Sequence, residues 1–377
     1  MGEQSEAMAP IVLLGGGHAH VEVVRLLGKA GLGAQIKLVS PSRQTPYSGM
    51  LPGYISGEYG FDDFHIDLAT LCARSGVEFV ETAATGIDVD RRFVLLANGE
   101  RLRYGLLSIN IGSVPSVPGG LSVGISVKPI ASFTDRLAQL DALVAEGRIS
   151  KLAVVGQGVA GIEVAFALKR RFEGHSVSIS LVGRAAEVVP ERSCRARKML
   201  ERELRNAKIV HTPAFDVLAV EDSELIARDE RRLAVDEVIW TTSSGAPALL
   251  RDTGLLLDQD GFIRVDLTLQ SLSHPDVFAA GDVASLPDPR PKAGVFAVKE
   301  GPILAGNIQR FLSKRRMKSY RPQSSWLVLI SLGDGRAIAD KWGFAILGSW
   351  VAKWKHRIDS RFMRNIANGS QGSGICL

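Results

Sequence analysis

Twice in this chain a short apolar run ends in a glycine-rich turn that opens a helix. The first is Ile11–Leu14, followed by Gly15-Gly16-Gly17-His18-Ala19-His20. The second is residues 152–155, followed by Gly156-Gln157-Gly158-Val159-Ala160-Gly161 and then Glu163. Glycine at this spacing lets the chain bend sharply and lets backbone amides approach a pyrophosphate at the helix N-terminus, where the helix dipole favours negative charge. One such turn is a weak signal. Two of them, with Val277-Phe278-Ala279-Ala280-Gly281-Asp282 downstream, imply two dinucleotides held face to face. That arrangement suits the passage of a hydride from one to the other.

The order of elements around these turns repeats. Residues 11–40 read as strand, glycine turn, helix and strand, the helix stopping at Gly31 and the second strand spanning 36–39. Residues 41–60, rich in Pro, Gly, Ser and Tyr, read as an extended loop, and 64–75 as a helix. Short strands follow at 77–80 and 93–96, then a strand at 106–111. Pro118-Gly119-Gly120 marks a crossing between domains. A second strand–helix–strand unit starts at Leu152 and closes near residues 238–245. This alternation predicts parallel sheets with helices on both faces. The expected fold is α/β, with two Rossmann-like dinucleotide-binding domains and a small C-terminal α+β region. The first domain is expected at 9–120 and 251–312, interrupted by the second at 121–250. A dimer- or membrane-contact region would occupy 313–377.

Composition narrows the setting. Cys72, Cys194 and Cys376 lie far apart with no CxxC pair, which argues for a reducing compartment without structural disulfides or zinc clusters. The first ten residues lack the basic and apolar segments of a secretory leader. No apolar stretch approaches the roughly 18–20 residues of a membrane span, so a cytoplasmic protein is expected. A net charge of +5 does not call for nucleic acid. The basicity is uneven, however: Lys314, Arg315, Arg316, Lys318, Arg321, Lys341 and Lys353 crowd a stretch whose acids are Asp334, Asp340 and Asp359.

In the first loop Gly15 makes the turn, Gly17 admits the pyrophosphate, and His18 follows at the helix start. His20 occupies the place of the usual third glycine and is expected to shift the helix or point outward. The next strand ends in Ser40-Pro41, where an acidic residue commonly binds ribose hydroxyls. Asp282, after Gly281, can accept hydrogen bonds from the ribityl hydroxyls of FAD. The second loop keeps Gly156, Gly158 and Gly161 and adds Glu163, as a nicotinamide dinucleotide site requires. Its following strand ends at Gly183-Arg184, with no acid for a 2′-hydroxyl and an arginine suited to a 2′-phosphate. The donor is NADH or NADPH, with a slight lean to NADH. His18 and His20 have no ligand partners at metal spacing, so no metal is expected there. His65 reads as a loop anchor.

Through GGGHAH, IGSVP, GQGVAGIE, TTSSGAP and VFAAGD, residues 10–310 resemble the pyridine nucleotide-disulfide oxidoreductase superfamily. Its disulfide enzymes carry Cys-x4-Cys after the second strand; this chain has Thr45-Pro46-Tyr47-Ser48-Gly49-Met50-Leu51-Pro52. The stretch TPYSGMLPG resembles the loop beside the isoalloxazine in type II NADH dehydrogenases, which places Pro46 there. Sulfide:quinone oxidoreductases, also related, need redox cysteines that Cys72 and Cys194 do not supply. The whole pattern is most similar to the dehydrogenase-like module fused to selenophosphate synthetase. The resemblance implies FAD in the first site, with Gly112 and Gly281 at its edges. NAD(P)H would lie near Glu163 and Gly245, and electrons would pass to a quinone or other small acceptor. It also places Lys299 or Glu300 near the flavin or the acceptor pocket, so Glu163 and Lys299 are the expected catalytic residues. The alternatives are a reductase serving sulfur or selenium metabolism and a non-catalytic flavin sensor.

Near the C-terminus, residues 326–332 read as a buried strand. From Gly343 onward Ile346, Leu347, Trp350, Val351, Trp354 and Ile358 fall on one helical face, with Lys353, Lys355, His356, Arg357 and Arg361 opposite. Such a helix suits a membrane surface, a homodimer or a domain contact. The resemblance to type II dehydrogenases, which attach to membranes through this region, favours a peripheral position on the inner face of the cell membrane.

Overall fold

The computed structural model describes residues 9–117 and 123–368. The Pro118-Gly119-Gly120 crossing, the Gly/Ser-rich end of the chain and Cys376 lie outside the described residues.

β1 (Ile11–Leu14) is buried along its length, and α1 (His18–Lys29) follows with Gly17 as N-cap. β2 (Ile36–Ser40) closes the first unit. The expected loop at 41–60 instead contains β3 (Gln44–Pro46) and α2 (Leu51–Ser56), whose Pro52 sits in the first turn, where a missing N–H costs nothing. The expected helix at 64–75 is three elements: α3 (Phe61–Phe64), β4 (His65–Asp67) and α4 (Leu68–Ser75). β4 pairs antiparallel with β3, and Asp67 ends the strand by capping α4, its carboxylate accepting from the Thr70 amide at 2.9 Å. Apolar spacing alone did not separate the strand from the helix it caps. β5 (Glu78–Glu81) is followed by the antiparallel β6 (Ala84–Asp88), β7 (Phe93–Leu96) and β8 (Arg101–Arg103). β9 (Leu106–Ile109) then ends two residues before the expected limit, just ahead of Asn110.

The chain next passes through β10 (Val114–Pro115) and β11 (Ile125–Ser126) to α5 (Ile130–Ala145). The second fingerprint joins β12 (Lys151–Val155) to α6 (Val159–Arg171) and β13 (Ser178–Val182). α7 (Cys194–Asn206), β14 (Val210–Thr212), β15 (Val217–Glu221), β16 (Glu224–Ala227), β17 (Arg232–Ala234) and β18 (Glu237–Trp240) complete this part. The return runs through β19 (Ser244–Gly245), β20 (Ile263–Arg264), β21 (Val277–Ala279) and β22 (Ala284–Ser285) to α8 (Gly294–Leu312).

Two five-stranded sheets organise the molecule, in the orders β21-β9-β1-β2-β5 and β11-β18-β12-β13-β14. Every pairing in them is parallel, as crossover helices require. The first sheet is complete only when β21 returns to pair with β9. The two passages between the sheets touch in a short antiparallel ladder, Val114 opposite Gly245 and Pro115 opposite Ser244. α2 and α3 pack onto the second unit, where Ile55 and Phe64 share a core with Ile162 and Phe166 of α6.

The C-terminal part differs most from expectation. β23 (Val328–Ser331), β24 (Ala337–Lys341) and β25 (Phe344–Gly348) form an antiparallel sheet, and α9 (Ser349–Asn368) starts six residues after Gly343. Burial in β25 alternates, with Phe344 and Ile346 out and Ala345 in, the period of a strand. The inward face of α9 is Val351, Lys355, Asp359, Phe362 and Ile366, whereas Trp350 and Trp354 face outward. The tryptophans therefore do not share the buried face with Val351, and Lys355 does not belong to the exposed basic face.

Candidate functional site

The first loop is closed around a residue that the motif reading missed. Asn110, buried at the end of β9, accepts from the amides of Ala19 (3.1 Å) and His20 (3.2 Å) through Oδ1, and its Nδ2 donates to the Ala280 carbonyl at 2.6 Å. One side chain thus ties α1 to the strand that delivers Gly281-Asp282. Gly15 has φ +95°, and a Cβ there would stand 2.6 Å from the Asn110 carbonyl oxygen; at Gly17 it would overlap Asn110 Oδ1. A short polar residue at the carboxyl end of a central parallel strand, where ligands bind such sheets, was the available signal.

His20 turns inward, contrary to expectation. Its Nδ1 lies 2.7 Å from the Gly15 carbonyl and its Nε2 2.8 Å from Ser108 Oγ. A carbonyl only accepts, so Nδ1 carries the proton and Nε2 accepts from the serine hydroxyl. The imidazole fills the space that a glycine would leave because Ser108 is small enough to admit it. Burial holds its pKa down at about 4, with the Gly15 bond opposing, and burial does the same to His18. Between about 4 and 6.5 the unfolded chain binds a proton at His20 that the folded chain does not, so this contribution to stability is lost as pH falls through that window. A His20→Gln variant lacks it. The stability gap between wild type and H20Q is therefore expected to narrow by roughly 2–3 kcal/mol between pH 7.5 and 4.5, read by urea unfolding.

Ser40 is buried at the end of β2, and opposite it in register stands Glu81 of β5, which accepts from the Arg43 amide at 3.1 Å. The acid missing from the second strand thus stands one strand over. Pro46 ends β3, beside Tyr47, whose ring lies 5.3 Å from that of His18.

At the Gly-Asp turn Gly281 has φ +72°, and its amide donates to Glu300 Oε2 at 2.5 Å. Glu300 is buried, and burial pushes its pKa up to about 7 against the pull of the Gly281 amide and Lys292. Asp282 Oδ2 accepts from Ser113 Oγ at 2.9 Å and from Lys128 Nζ at 2.7 Å.

In the second loop Gly156, at φ +121°, lies against Thr241, and a Cβ on Gly161 would overlap the Gly156 carbonyl. At Gly158 and at Gly112 no atom stands within 4 Å of where a Cβ would be. The N-caps of α1 and α6 are Gly17 and Gly158, which carry no side chain; in α1 the Ala19 and His20 amides are instead taken by Asn110 Oδ1. Of the two glycine loops, the second leaves open space at its helix N-cap, Gly158, while the first is filled at Gly17 by the Asn110 side chain. A cavity of about 1650 Å³ begins at Gly156, Gly158 and the exposed Arg184, passes Ser48, Gly49 and Glu163, and reaches Lys299 on α8.

Residues 9–301 match the pyridine nucleotide-disulphide oxidoreductase family. The chain belongs to that family. It is an oxidoreductase, and FAD and NAD(P)H are its cofactors. An NADH dehydrogenase-like protein of Mycobacterium tuberculosis is 29% identical over 58% of this chain and 58% of its own length. The demethylphylloquinone reductase of Synechocystis is 24% identical over 91% of this chain and 89% of its own. The sulfide:quinone oxidoreductase of Aquifex aeolicus shares the fold, with a TM-score of 0.81 at 17% identity over 96% of this chain and 92% of that one.

Within this oxidoreductase three charged side chains of the cavity wall, Glu163, Lys355 and Asp359, form one cluster. Glu163 Oε1 accepts from the Ser331 amide at 2.9 Å, and burial pushes its carboxyl up to about 7 while Lys355 pulls it back. Lys355 reaches inward from α9, donating to the Gly49 carbonyl at 2.6 Å and to Asp359 Oδ2 at 2.8 Å. Burial works against the charge of Lys355, yet Asp359 and Glu163 hold its pKa above the usual lysine value. Cys72 is buried, its thiol pushed up to about 12, and Cys194 is exposed at the start of α7; both are free. No group of three or more potential metal ligands occurs among the described residues.

Proposed function

We propose that the protein is an FAD-dependent NAD(P)H:quinone oxidoreductase of the type II NADH dehydrogenase kind, working without a redox disulfide. The observation that carries this is the single cavity linking the second glycine loop to a distant arm between α1, α8 and α9. Leu26, Val298, Pro302, Phe362 and Ile366 make that arm apolar, and Lys299 adds a cation. Such a channel suits a flat, lipophilic carbonyl acceptor. The names of the mycobacterial and Synechocystis relatives support the same donor and acceptor classes.

In this reading Gly15, Gly17, His18, Ser40, Pro46, Gly112, Gly281 and Asp282 hold FAD. Gly156, Gly158, Gly161, Arg184 and Gly245 hold the nicotinamide dinucleotide. FAD supplies the redox chemistry, accepting a hydride and releasing electrons to the second acceptor. Glu163, with a carboxyl poised near neutrality, delivers protons to the acceptor oxygens, and Lys355 keeps that carboxyl in place. Lys299 offers positive charge to the acceptor. Anaerobic titration with NADH and then NADPH, followed by a soluble quinone, tests the whole. The flavin should bleach with one donor and recover its colour with the quinone. A flavin that stays oxidised sinks the donor assignment, and one that bleaches but ignores quinones sinks the acceptor.

No helix among the described residues is long and apolar enough to cross a membrane. Trp342 and Phe344 are nevertheless 73% and 71% exposed, and Ile346, Trp350 and Trp354 are also exposed. Lys341, whose Nζ lies 4.3 Å from the Trp342 ring centre, and the exposed Lys353 and Arg357 accompany them. Aromatic side chains with lysines and arginines suit an anionic bilayer surface, where a lipophilic quinone dissolves. The combined substitution Trp342→Ser, Phe344→Ser and Trp350→Ser is expected to weaken sedimentation with anionic vesicles at least tenfold while sparing soluble-quinone turnover. A shift from dimer to monomer instead, with no change in vesicle binding, assigns the face to a second copy.

A further inference from the structure

Lys128 stands two residues beyond β11, the edge strand of the second sheet. β11 pairs with β18, and the Val127 amide donates to the Trp240 carbonyl at 3.1 Å, so the backbone is fixed to that sheet up to the preceding residue. The side chain then leaves it. Its ammonium donates to Asp282 Oδ2 at 2.7 Å and to Ser113 Oγ at 3.1 Å, and Ser113 Oγ donates to the same carboxylate oxygen at 2.9 Å. Three segments converge on one oxygen: the outgoing chain at Ser113, the edge of the second sheet at Lys128 and the returning chain at Asp282.

We propose that Lys128 is a positioning residue for the flavin, holding Asp282 from across the boundary between the two dinucleotide units and setting the charge of the flavin site. The proposal rests on FAD occupying the first site. The Lys128 side chain is 35% exposed, and it lines the cavity that also holds Glu163 and Ser48. Asp282 and Lys128 both act on the half-buried His18, with opposite signs, so the three groups share one electrostatic environment. A cation fixed beside a centre that takes up electrons favours its reduced form. It also keeps Asp282 ionised and oriented as a hydrogen-bond acceptor.

The test compares FAD-loaded wild type with Lys128→Met, Lys128→Gln and Lys128→Arg. The flavin midpoint potential would be read against a reference dye, and FAD affinity by flavin fluorescence. K128M and K128Q are expected to lose about tenfold in preference for the reduced flavin, a fall of about 30 mV for a two-electron couple. FAD binding should weaken several-fold in both. K128R should restore the potential to near that of wild type. K128Q retains a donor for Asp282, so it separates charge from hydrogen bonding and carries the test should K128M fail to fold. Potentials unchanged in both neutral variants overturn the proposal, as does K128R shifted as far as they are. A wild-type chain that takes up no FAD overturns the cofactor assignment itself and the proposal with it.

Discussion

Glutamine in place of Glu163 is expected to leave FAD uptake intact and to slow turnover with a quinone by about 10²–10⁴-fold, the range that a positioned proton donor contributes. Burial in the cavity wall pushes the carboxyl up to about 7, and the charge of Lys355 and the hydrogen bond it accepts from the Ser331 amide stop it from rising further. Reduction of a quinone consumes protons; transfer of a hydride from NAD(P)H to flavin does not require one from the protein. The rate of the quinone half-reaction should therefore fall as pH rises through about 7, as Glu163 loses the proton it donates. The hydride half-reaction should lack that inflection. E163Q should lose the inflection altogether. Stopped-flow measurement of the two half-reactions separates these outcomes: equal slowing of both halves would make Glu163 a packing residue, and an inflection that survives would place the proton donor elsewhere.

Replacing Lys355 with methionine should be the most damaging single change to stability. Asp359 and Glu163 would lose their shared cation and the Gly49 carbonyl its donor, in a wall of the cavity where Asp359 is buried and Lys355 largely so. Breaking a buried pair by removing one partner costs about 3–5 kcal/mol, because an uncompensated charge remains. The carboxyl of Glu163 should also rise above its wild-type value, because the ammonium was pulling it down. Urea unfolding of the FAD-free protein checks the first effect, and the pH profile of quinone turnover in whatever folds checks the second. The exposed Lys37–Glu78 pair, at 2.8 Å, makes a suitable control, since surface pairs contribute at most about 1 kcal/mol. A loss at Lys355 no larger than that control would mean that water reaches the cluster.

The glycine turns were legible because their geometry is local. Gly15, Gly156 and Gly161 sit where backbone would collide with any side chain, and no atom stands within 4 Å of where a Cβ on Gly158 would be. His20 was legible as a departure but not in its direction, because what admits it is Ser108, 88 residues away on β9. The roles of Asn110 and Lys128 were not legible, because both act by joining segments more than 90 residues apart. The C-terminal error has a simpler cause. Residues 344–348 alternate as a strand and lead directly into a helix, and one helical wheel drawn across both put Trp350 and Lys355 on the wrong faces. Nothing in the local pattern distinguishes Lys355 from Lys353, since its inward turn answers to Gly49 in a distant part of the chain.

α9 closes the first cradle from outside. Phe362 stacks on Tyr47 at 4.6 Å, Lys355 reaches the Gly49 carbonyl, and Arg74 of α4 binds the Ile366 and Ala367 carbonyls. These contacts tie the last described helix to elements made some 300 residues earlier. During vectorial synthesis the first glycine loop emerges early, yet its fifth sheet strand, β21, and its cover, α9, arrive only near the end. Nascent chains therefore carry a half-built flavin cradle, with Tyr47 and the adjoining apolar surface uncovered, for most of their time on the ribosome. That interval, rather than the marginal stability of the finished protein, is where this fold is most exposed to aggregation and to capture by chaperones.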